Sequence, residues 1–507
     1  MYLLGIDVGT SGVKAILVSP TGETRAQSTH SYALLSPHNG WFEQNPEDWW
    51  NATVLSVQEV LAHAAVKPPE VGGVGLSGQY HGLVLLDVNG KVLRPCIIWN
   101  DQRTAAQSLR IREKAGKDTL MRICASQGAP YFTACKLEWV REYEPQTYER
   151  IRKLILPKDF IRFMLTGEIC TDVTDASGTL FLDVGRRQWS KEMLRILDVD
   201  QGFLPGLVES SALSGRICRS AAELTGLHPG TPVAGGAGDQ ASAAVGIGVV
   251  AEGILSLSVG TSGVIYGATD RPVTDTEGRF DTFCHSVPGK WSVLACINSA
   301  AASYQWYQDK LALGEKIEAE RRGETLYDVL EREAAKVPVG SDRLLFLPYL
   351  AGERHPHTDT DARGVFFGLH AGHTRGNLVR AILEGVAFSF KDCLEAMKQR
   401  TIVTGEIRAT GGGTQSPLWR RILVNVIGQP IVSMGELAGG ASFGAAILAG
   451  VCAGEFSSAQ EACAALVETG PRLEPEGSER EKYDGYFRVF QSLYPLLKEP
   501  YQRLARL

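Results

Sequence analysis

A six-residue string occurs twice, half a chain apart: Val8-Gly9-Thr10-Ser11-Gly12-Val13 and Val259-Gly260-Thr261-Ser262-Gly263-Val264. Each copy follows an apolar run (Leu3, Leu4 and Ile6; Leu255 and Leu257) and leads into another, so each reads as two strands joined by a small-residue turn. The interval is far too long for a solenoid period. It points instead to a duplicated domain, with one such turn near the start of each half. Glycines let backbone N–H groups approach a ligand, and the Thr and Ser hydroxyls add donors, so such a turn can cradle phosphate oxygens without a Lys. For either copy alone, an ordinary hairpin is the plain alternative. The copies differ at one position that matters chemically: Asp7 precedes the first turn and Ser258 the second. Only one half therefore supplies a carboxylate where a divalent cation bridging phosphates could meet it.

At 507 residues the chain is long enough for two or more domains with full cores. Apolar and charged fractions of 44% and 21% are those of an ordinary globular protein. With a net charge of −6 and no basic stripe, a nucleic-acid partner is not expected. Ten cysteines without a CxxC pair suit reduced, mostly buried thiols in a cytoplasmic protein. The first residues form a strand pattern without a basic leader. The longest uncharged run, Leu437 to Gly454, is built from Gly, Ala and Ser, a poor membrane span but a good helix for close packing under a sheet or nucleotide.

Alternating β and α elements in both halves favour an α/β fold, with the seam near residues 245–255. Asn45-Pro46 with Glu47 and Asp48 opens a helix running to about Ala65. Strands flank Gly78–Gly82, and Asn89-Gly90 reads as a two-residue hairpin turn. A long amphipathic helix is expected over about 377–400, a strand–turn–helix through Gly411-Gly412-Gly413 over 407–426, and a terminal helix from Glu479.

Gly235-Gly236-Ala237-Gly238-Asp239-Gln240-Ala241 follows a short apolar strand and precedes helical sequence, which places Asp239 at a helix N-terminus. Capping is one role for such an acid. Facing a cleft, it could instead act as a general base toward a substrate hydroxyl attacking a phosphoryl group. The run also loosely fits GxGxxA, but an Asp inside that loop would repel a pyrophosphate. The GxSxG match at 440–444 fails as a hydrolase elbow because no His follows His373. Gln79, Tyr80 and His81 offer donors and acceptors in one turn, suited to a polyhydroxyl ligand. Asp101 could line the same pocket or simply pair with Arg103. Gly411-Gly412-Gly413 brings backbone close to something flat or anionic, such as a nucleotide, or is a tight turn only.

Taken together, GIDVGTSGVKAIL, SGQYHG, WNDQR, LPKDFIRFMLTGE, TDASGTLFLDV, GAGDQ, SVGTSGV, LPYLAGER, GVFFGL, LEGVAFS and GGGTQSPLWRRILVNV resemble, in order and spacing, the FGGY family of carbohydrate kinases over nearly the whole chain. The resemblance implies two actin-like (ribonuclease H-like) domains, 1–247 and 253–507, flanking a central catalytic cleft. It implies ATP-dependent phosphorylation of a small sugar, D-xylulose first, in the presence of Mg²⁺. Position by position, Asp239 corresponds to the catalytic base, and Asp7 to the acid near the Mg²⁺ and phosphates, so both are candidate metal ligands. Gln79, Tyr80, His81, Asp101, Asp239 and Gln240 fall to the sugar. Gly9, Thr10, Ser11, Gly260, Thr261, Ser262, Gly411, Gly412 and Gly413 fall to the nucleotide. Two departures bear on substrate. Family members acting on D-xylulose usually carry Met in place of Tyr80 and Asn in place of Gln240, and the Gly-Asp-Gln triplet is more like those acting on glycerol. Ribulose, a tetrulose or tetritol, and a glycerol-like polyol are therefore alternative acceptors. An actin- or Hsp70-like ATPase and a non-catalytic sugar sensor are the rivals outside the class. The expected partners are small molecules, with no membrane and no nucleic acid; a homodimer is compatible.

Overall fold

The computed structural model describes residues 1–435 and 440–507. Each half builds a seven-stranded sheet. In the first, β1 (Tyr2–Val8), β2 (Gly12–Val18) and β3 (Thr24–Ser31) form an antiparallel meander, and β4 (Val71–Gly78) and β5 (Pro232–Ala234) continue it in parallel on the other side of β1. In the second, β6 (Gly253–Val259), β7 (Gly263–Thr269) and β8 (Trp291–Ile297) repeat the meander, with β9 (Thr404–Thr410) and β10 (Ile431–Ser433) as the parallel strands. The two orders, 3-2-1-4-5 and 8-7-6-9-10, are one ribonuclease H-like topology used twice. Asp7 lies across from Lys14 and Ser77, and Ser258 across from Val264 and Thr410, so the duplicated turns occupy equivalent places.

β1 is buried almost throughout because both faces of the first sheet are covered. Helix Pro46–Ala64 covers one face; Asn45 caps it by accepting from the Glu47 N–H at 3.3 Å, and Ala65 ends it in the left-handed region. The cover on the other face comes from the far end of the chain. Helix Ala441–Cys452 follows β10 in sequence, yet it packs on β1 and β4 and along helix Asp239–Gly246. Backbone meets backbone there. A Cβ added to Gly5 would lie 1.8 Å from the Ser442 carbonyl oxygen, one on Gly75 1.8 Å from that of Ala445, and one on Gly444 1.7 Å from that of Ser242. The Ser442 of the GxSxG match is thus buried in packing. This explains the small-residue density of the uncharged run, of which Leu437, Ala438 and Gly439 lie outside the described residues. No helix among the described residues is long and apolar enough to cross a membrane. All ten cysteines are free.

One turn differs from its expectation. The loop at Asn89-Gly90 has three residues, Val88 to Gly90, not two: Asp87 N–H donates to the Lys91 carbonyl at 2.9 Å and Gly90 N–H to that of Asp87 at 3.0 Å. The cause is Asp87, whose Oδ1 accepts from both Asn89 and Lys91 N–H groups and organises the wider turn, with Gly90 left-handed at φ 75°.

The backbone contacts make a stability prediction. Gly5→Ala or Gly444→Ala forces helix Ala441–Cys452 off the sheet and should cost several kcal/mol, seen as a large loss of Tm or of soluble protein. Gly485→Ala, in helix Gly477–Leu504 with nothing within 4 Å of its Cβ position, should instead stabilise by about 0.5–1 kcal/mol in a denaturant titration.

Candidate active site

β5 ends at Ala234, the chain passes through Gly235–Gly238, and Asp239 becomes the first residue of its helix. Gly238 holds the capping position, so Asp239 is not the cap; its Oδ1 accepts the neighbouring Gln240 N–H at 2.6 Å. The carboxyl of Asp239 is pushed up to about 7, first by burial and then by the negative charge of Asp7. Asp7 is itself raised by burial, against the lowering effect of Ser77 and Lys14. Its Oδ1 is buried and without a hydrogen-bond partner. Two half-buried acids thus repel each other across the cleft floor, one with a vacant acceptor. That donor set fits a hard divalent cation, whose charge would relieve the repulsion.

The loop carrying Asp239 is fixed from below by groups not singled out in the sequence. Thr174 Oγ1 accepts the Gly238 N–H at 3.0 Å and donates to Asp172 at 2.6 Å; Asp172 pairs with Lys158 at 2.9 Å. Lys158, fully buried, also meets Asp159 and Asp175, and Arg162 donates to the Gly235 carbonyl. The signal was available: Lys158, Asp159 and Arg162 interrupt an otherwise apolar helix, which forces charges to pair inside.

In the first turn the backbone carbonyls are taken by protein donors. Tyr32 and Gln79 donate to Gly9, Gln44 to Thr10 at 2.6 Å, and Tyr32 N–H to Ser11 at 3.4 Å. Ser11 is exposed. In the second turn Gly260 and Thr261 carbonyls accept from Ala301 and from Ala300 and Ala302, seating the start of helix Ala301–Lys310 on the turn; Thr261 and Ser262 are exposed. Between the halves lies a cavity of about 420 Å³, lined by Gln240 and Ala244 on one side and by Ser258, Val264, Thr410, Gly411 and Thr414 on the other. Gly411 is left-handed (φ 91°), while a Cβ on Gly413 would strike Val259 and Trp419; Gly412 is open.

At the other end of the cleft Tyr80 lays its ring on Gly238, where an added Cβ would be 2.2 Å from the ring. Burial, followed by Tyr266, Asp175, Asp172 and Asp239, raises its phenol. His81 is buried, and its Nδ1 lies 2.8 Å from the Gly178 carbonyl, which can only accept; Nδ1 therefore carries the proton. Burial first, then Lys136, lowers the imidazole to about 3, so the ring is neutral and Nε2 is an acceptor. Tyr131 and Phe132 stand 5.0 Å from that ring. Tyr131 also reaches the second half: its hydroxyl donates to Asp281 at 3.2 Å and accepts from Arg354, which pairs with Asp281 at 3.2 Å.

Two expected sugar contacts, Asp101 and Gln79, sit differently. The Asp101 side chain is wholly buried and its carboxylate is spent on Phe42 N–H at 2.6 Å and on Arg103, whose guanidinium grips both oxygens. The plain Asp–Arg pair is what the fold makes of it. Gln240 lines the cavity shared with Gly411. Gln79 is fully buried and donates to Gln44 at 2.8 Å and to Gly9, bracing the first turn from behind. A separate grouping, Asp342, His370 and His373, lies on the outside of the second half. There His373 Nδ1 accepts the His370 N–H and Nε2 donates to the Asp342 carbonyl, so the ring is occupied in tying down a left-handed turn.

Because the folded Asp239 carboxyl titrates near 7, above the ordinary 3.8, the native state holds its proton more tightly than the unfolded chain. Its contribution to stability is therefore present at acid pH and lost as pH rises toward 7. Asp239→Asn should raise Tm by a few degrees at pH 8 and leave it nearly unchanged at pH 4; calorimetry at the two pH values checks this.

The profile of the FGGY family of carbohydrate kinases, N-terminal domain, matches residues 2–246, and that of the C-terminal domain residues 255–453. The chain is 35% identical over 507 residues to the xylulose kinase of Escherichia coli (98% of this chain, 100% of that one). It is 30% identical over 512 residues to the gluconokinase of Bacillus subtilis (99% and 98%). A solved structure of the xylulose kinase of Rhodospirillum rubrum superposes with a TM-score of 0.91 at 30% identity, covering 99% of this chain and 100% of that one. With both family domains present in order around a shared cleft, the chain belongs to the FGGY family of carbohydrate kinases.

Proposed function

We propose that the protein transfers the γ-phosphoryl group of ATP to the terminal hydroxyl of D-xylulose, giving D-xylulose 5-phosphate. The observation that carries this reading is the pair Asp239 and Asp7 at the cleft floor: a half-buried acid pushed up to about 7 facing a second acid with an unused oxygen. The full-length similarity to xylulose kinases supports the substrate. The proposed domains are 1–247 and 253–507. Asp239 accepts the proton of the attacking hydroxyl, the step at which a base of matched pKa contributes most. His81 Nε2 accepts from a sugar hydroxyl, and Tyr80 walls the pocket beside Asp239. The Gly9–Ser11 and Gly260–Ser262 turns hold phosphate oxygens, and Gly411–Gly413 lies along the nucleotide. Asp7 and Asp239 would hold Mg²⁺, which when bound offsets charge on the β- and γ-phosphates. Phosphoryl transfer needs positioning and electrostatics more than covalent help, which is what this cleft supplies.

The gluconokinase similarity gives a second reading, an aldonate acceptor. A carboxylate substrate needs a free cation at the sugar end. The Arg354 guanidinium there is paired with Asp281 and bonded to Tyr131, and the Lys136 ammonium is spent on the His81 and Tyr131 carbonyls, which favours a neutral ketose.

Asp239→Asn should lower kcat by at least about 10³-fold with sugar affinity within a few-fold of wild type, read by coupled assay and calorimetric titration. In the wild type, log kcat/KM for the sugar should fall with unit slope below a pKa near 7, since the base must be ionised. A panel of ketopentoses, tetruloses, polyols and gluconate should show D-xylulose preferred, with gluconate lower by at least about 100-fold, on the order of 3 kcal/mol in transition-state binding. If glycerol or a tetritol outpaces every pentulose, the substrate assignment fails while the reaction class stands.

A further inference from the structure

Lys136 has no exposed surface and forms no ion pair among the described residues, a costly place for an ammonium. It sits one turn after Thr133 on helix Thr133–Tyr143, so both side chains point the same way. Its Nζ donates to the His81 carbonyl at 2.9 Å and also to the Tyr131 carbonyl. Thr133 Oγ1 lies 3.2 Å from the same His81 oxygen. His81 is in the left-handed backbone region at φ 68°, an uncommon conformation for a residue with a side chain, and persists there only if its surroundings hold it. Gly178, whose carbonyl accepts from His81 Nδ1, completes the frame: a Cβ on it would lie 2.8 Å from that nitrogen.

We propose that Lys136 is a positioning residue for the sugar: its buried ammonium clamps the His81 and Tyr131 backbones together, and with them the imidazole acceptor and the phenol that reaches the second half. This rests on the reading of the His81 corner as the sugar end of the cleft. The clamp is charge-assisted and so weakens when the ammonium loses its proton. Burial lowers that ammonium to about 8. The groups around it are Cys96, whose thiol burial pushes up to about 12, and Cys135 on its own helix, likewise about 12. Asp101 favours the charge and Arg103 opposes it, while His81 is neutral. Lys136 is therefore the group in this corner that titrates just above neutrality. Its deprotonation should loosen sugar binding at alkaline pH and leave nucleotide binding alone.

The test is calorimetric titration of the full-length protein with D-xylulose, and separately with ATP, from pH 7 to 9.5. The wild-type sugar Kd should rise at least tenfold across that range while the ATP Kd stays within about twofold. Lys136→Met should bind sugar at least tenfold more weakly at pH 7 and lose the pH dependence; Lys136→Arg should restore most of the affinity and remove the alkaline rise. A flat wild-type sugar Kd, or a folded Lys136→Met with wild-type affinity, overturns the proposal. Should Lys136→Met fail to fold, the wild-type profile and Lys136→Arg still decide. If the wild type binds no D-xylulose at pH 7 while binding ATP, the substrate assignment fails first, and the clamp fails with it as a determinant of that sugar.

Discussion

Everything at the cleft depends on one steric fact: helix Ala441–Cys452 touches the first sheet and the Asp239 helix at the level of backbone atoms. Gly5, Gly75 and Gly444 make this possible, because a methyl group at any of them would overlap a carbonyl oxygen. The first sheet is thereby covered by a segment that follows the second sheet in sequence, and the two halves are joined by more than the seam near residue 250. The same helix backs the one that begins at Asp239, so the acid is fixed relative to Asp7 on β1. Close-packed interiors transmit such constraints because they do not deform continuously. The floor of the cleft is rigid because of backbone packing alone.

Charge at the floor runs the other way. Burial raises both Asp7 and Asp239, the charge of Asp7 raises Asp239 further, and Asp7 Oδ1 lacks a partner. Such an arrangement destabilises the resting fold and persists only because surrounding packing over-determines it, a pattern typical of working sites. The buried set of Lys158, Asp159, Arg162, Asp172 and Asp175 beneath it behaves differently, with each cation matched to carboxylates and the loop backbone tied in through Thr174 and Arg162. The lower layer anchors the loop, although Asp175 Oδ1 within it also lacks a hydrogen-bond partner and burial pushes that carboxyl up to about 8; the layer above it faces the cleft.

The duplicated turn was legible because it needs only local pattern: apolar strands, glycines and hydroxyls repeated in order. The same holds for Asp239, whose place between a short strand and a helix follows from its neighbours. What local pattern does not reveal is who meets whom. Asp101 read equally well as a sugar acceptor or half of an ion pair, and the choice was made by Phe42 N–H and Arg103, one of them distant in sequence. Gln240 was assigned to the sugar through the resemblance, and that it also lines the cavity beside Gly411 became visible only in the fold. Lys136 showed nothing in the sequence beyond one Lys in a helix that also carries Glu138, Arg141 and Glu142; its meaning depends on the left-handed backbone of His81, more than fifty residues away. Residues whose role is to hold another residue's backbone leave the weakest trace in sequence.

The central claim is geometric: one carboxylate within reach of both an alcohol and a triphosphate. Its most direct test is a crystal structure of the protein with D-xylulose and a non-hydrolysable ATP analogue. The terminal hydroxyl of the sugar should lie within hydrogen-bond distance of Asp239 and in line with the γ-phosphorus, with the adenosine along Gly411–Gly413. A complex in which the sugar hydroxyl meets neither Asp239 nor the γ-phosphate would contradict the account.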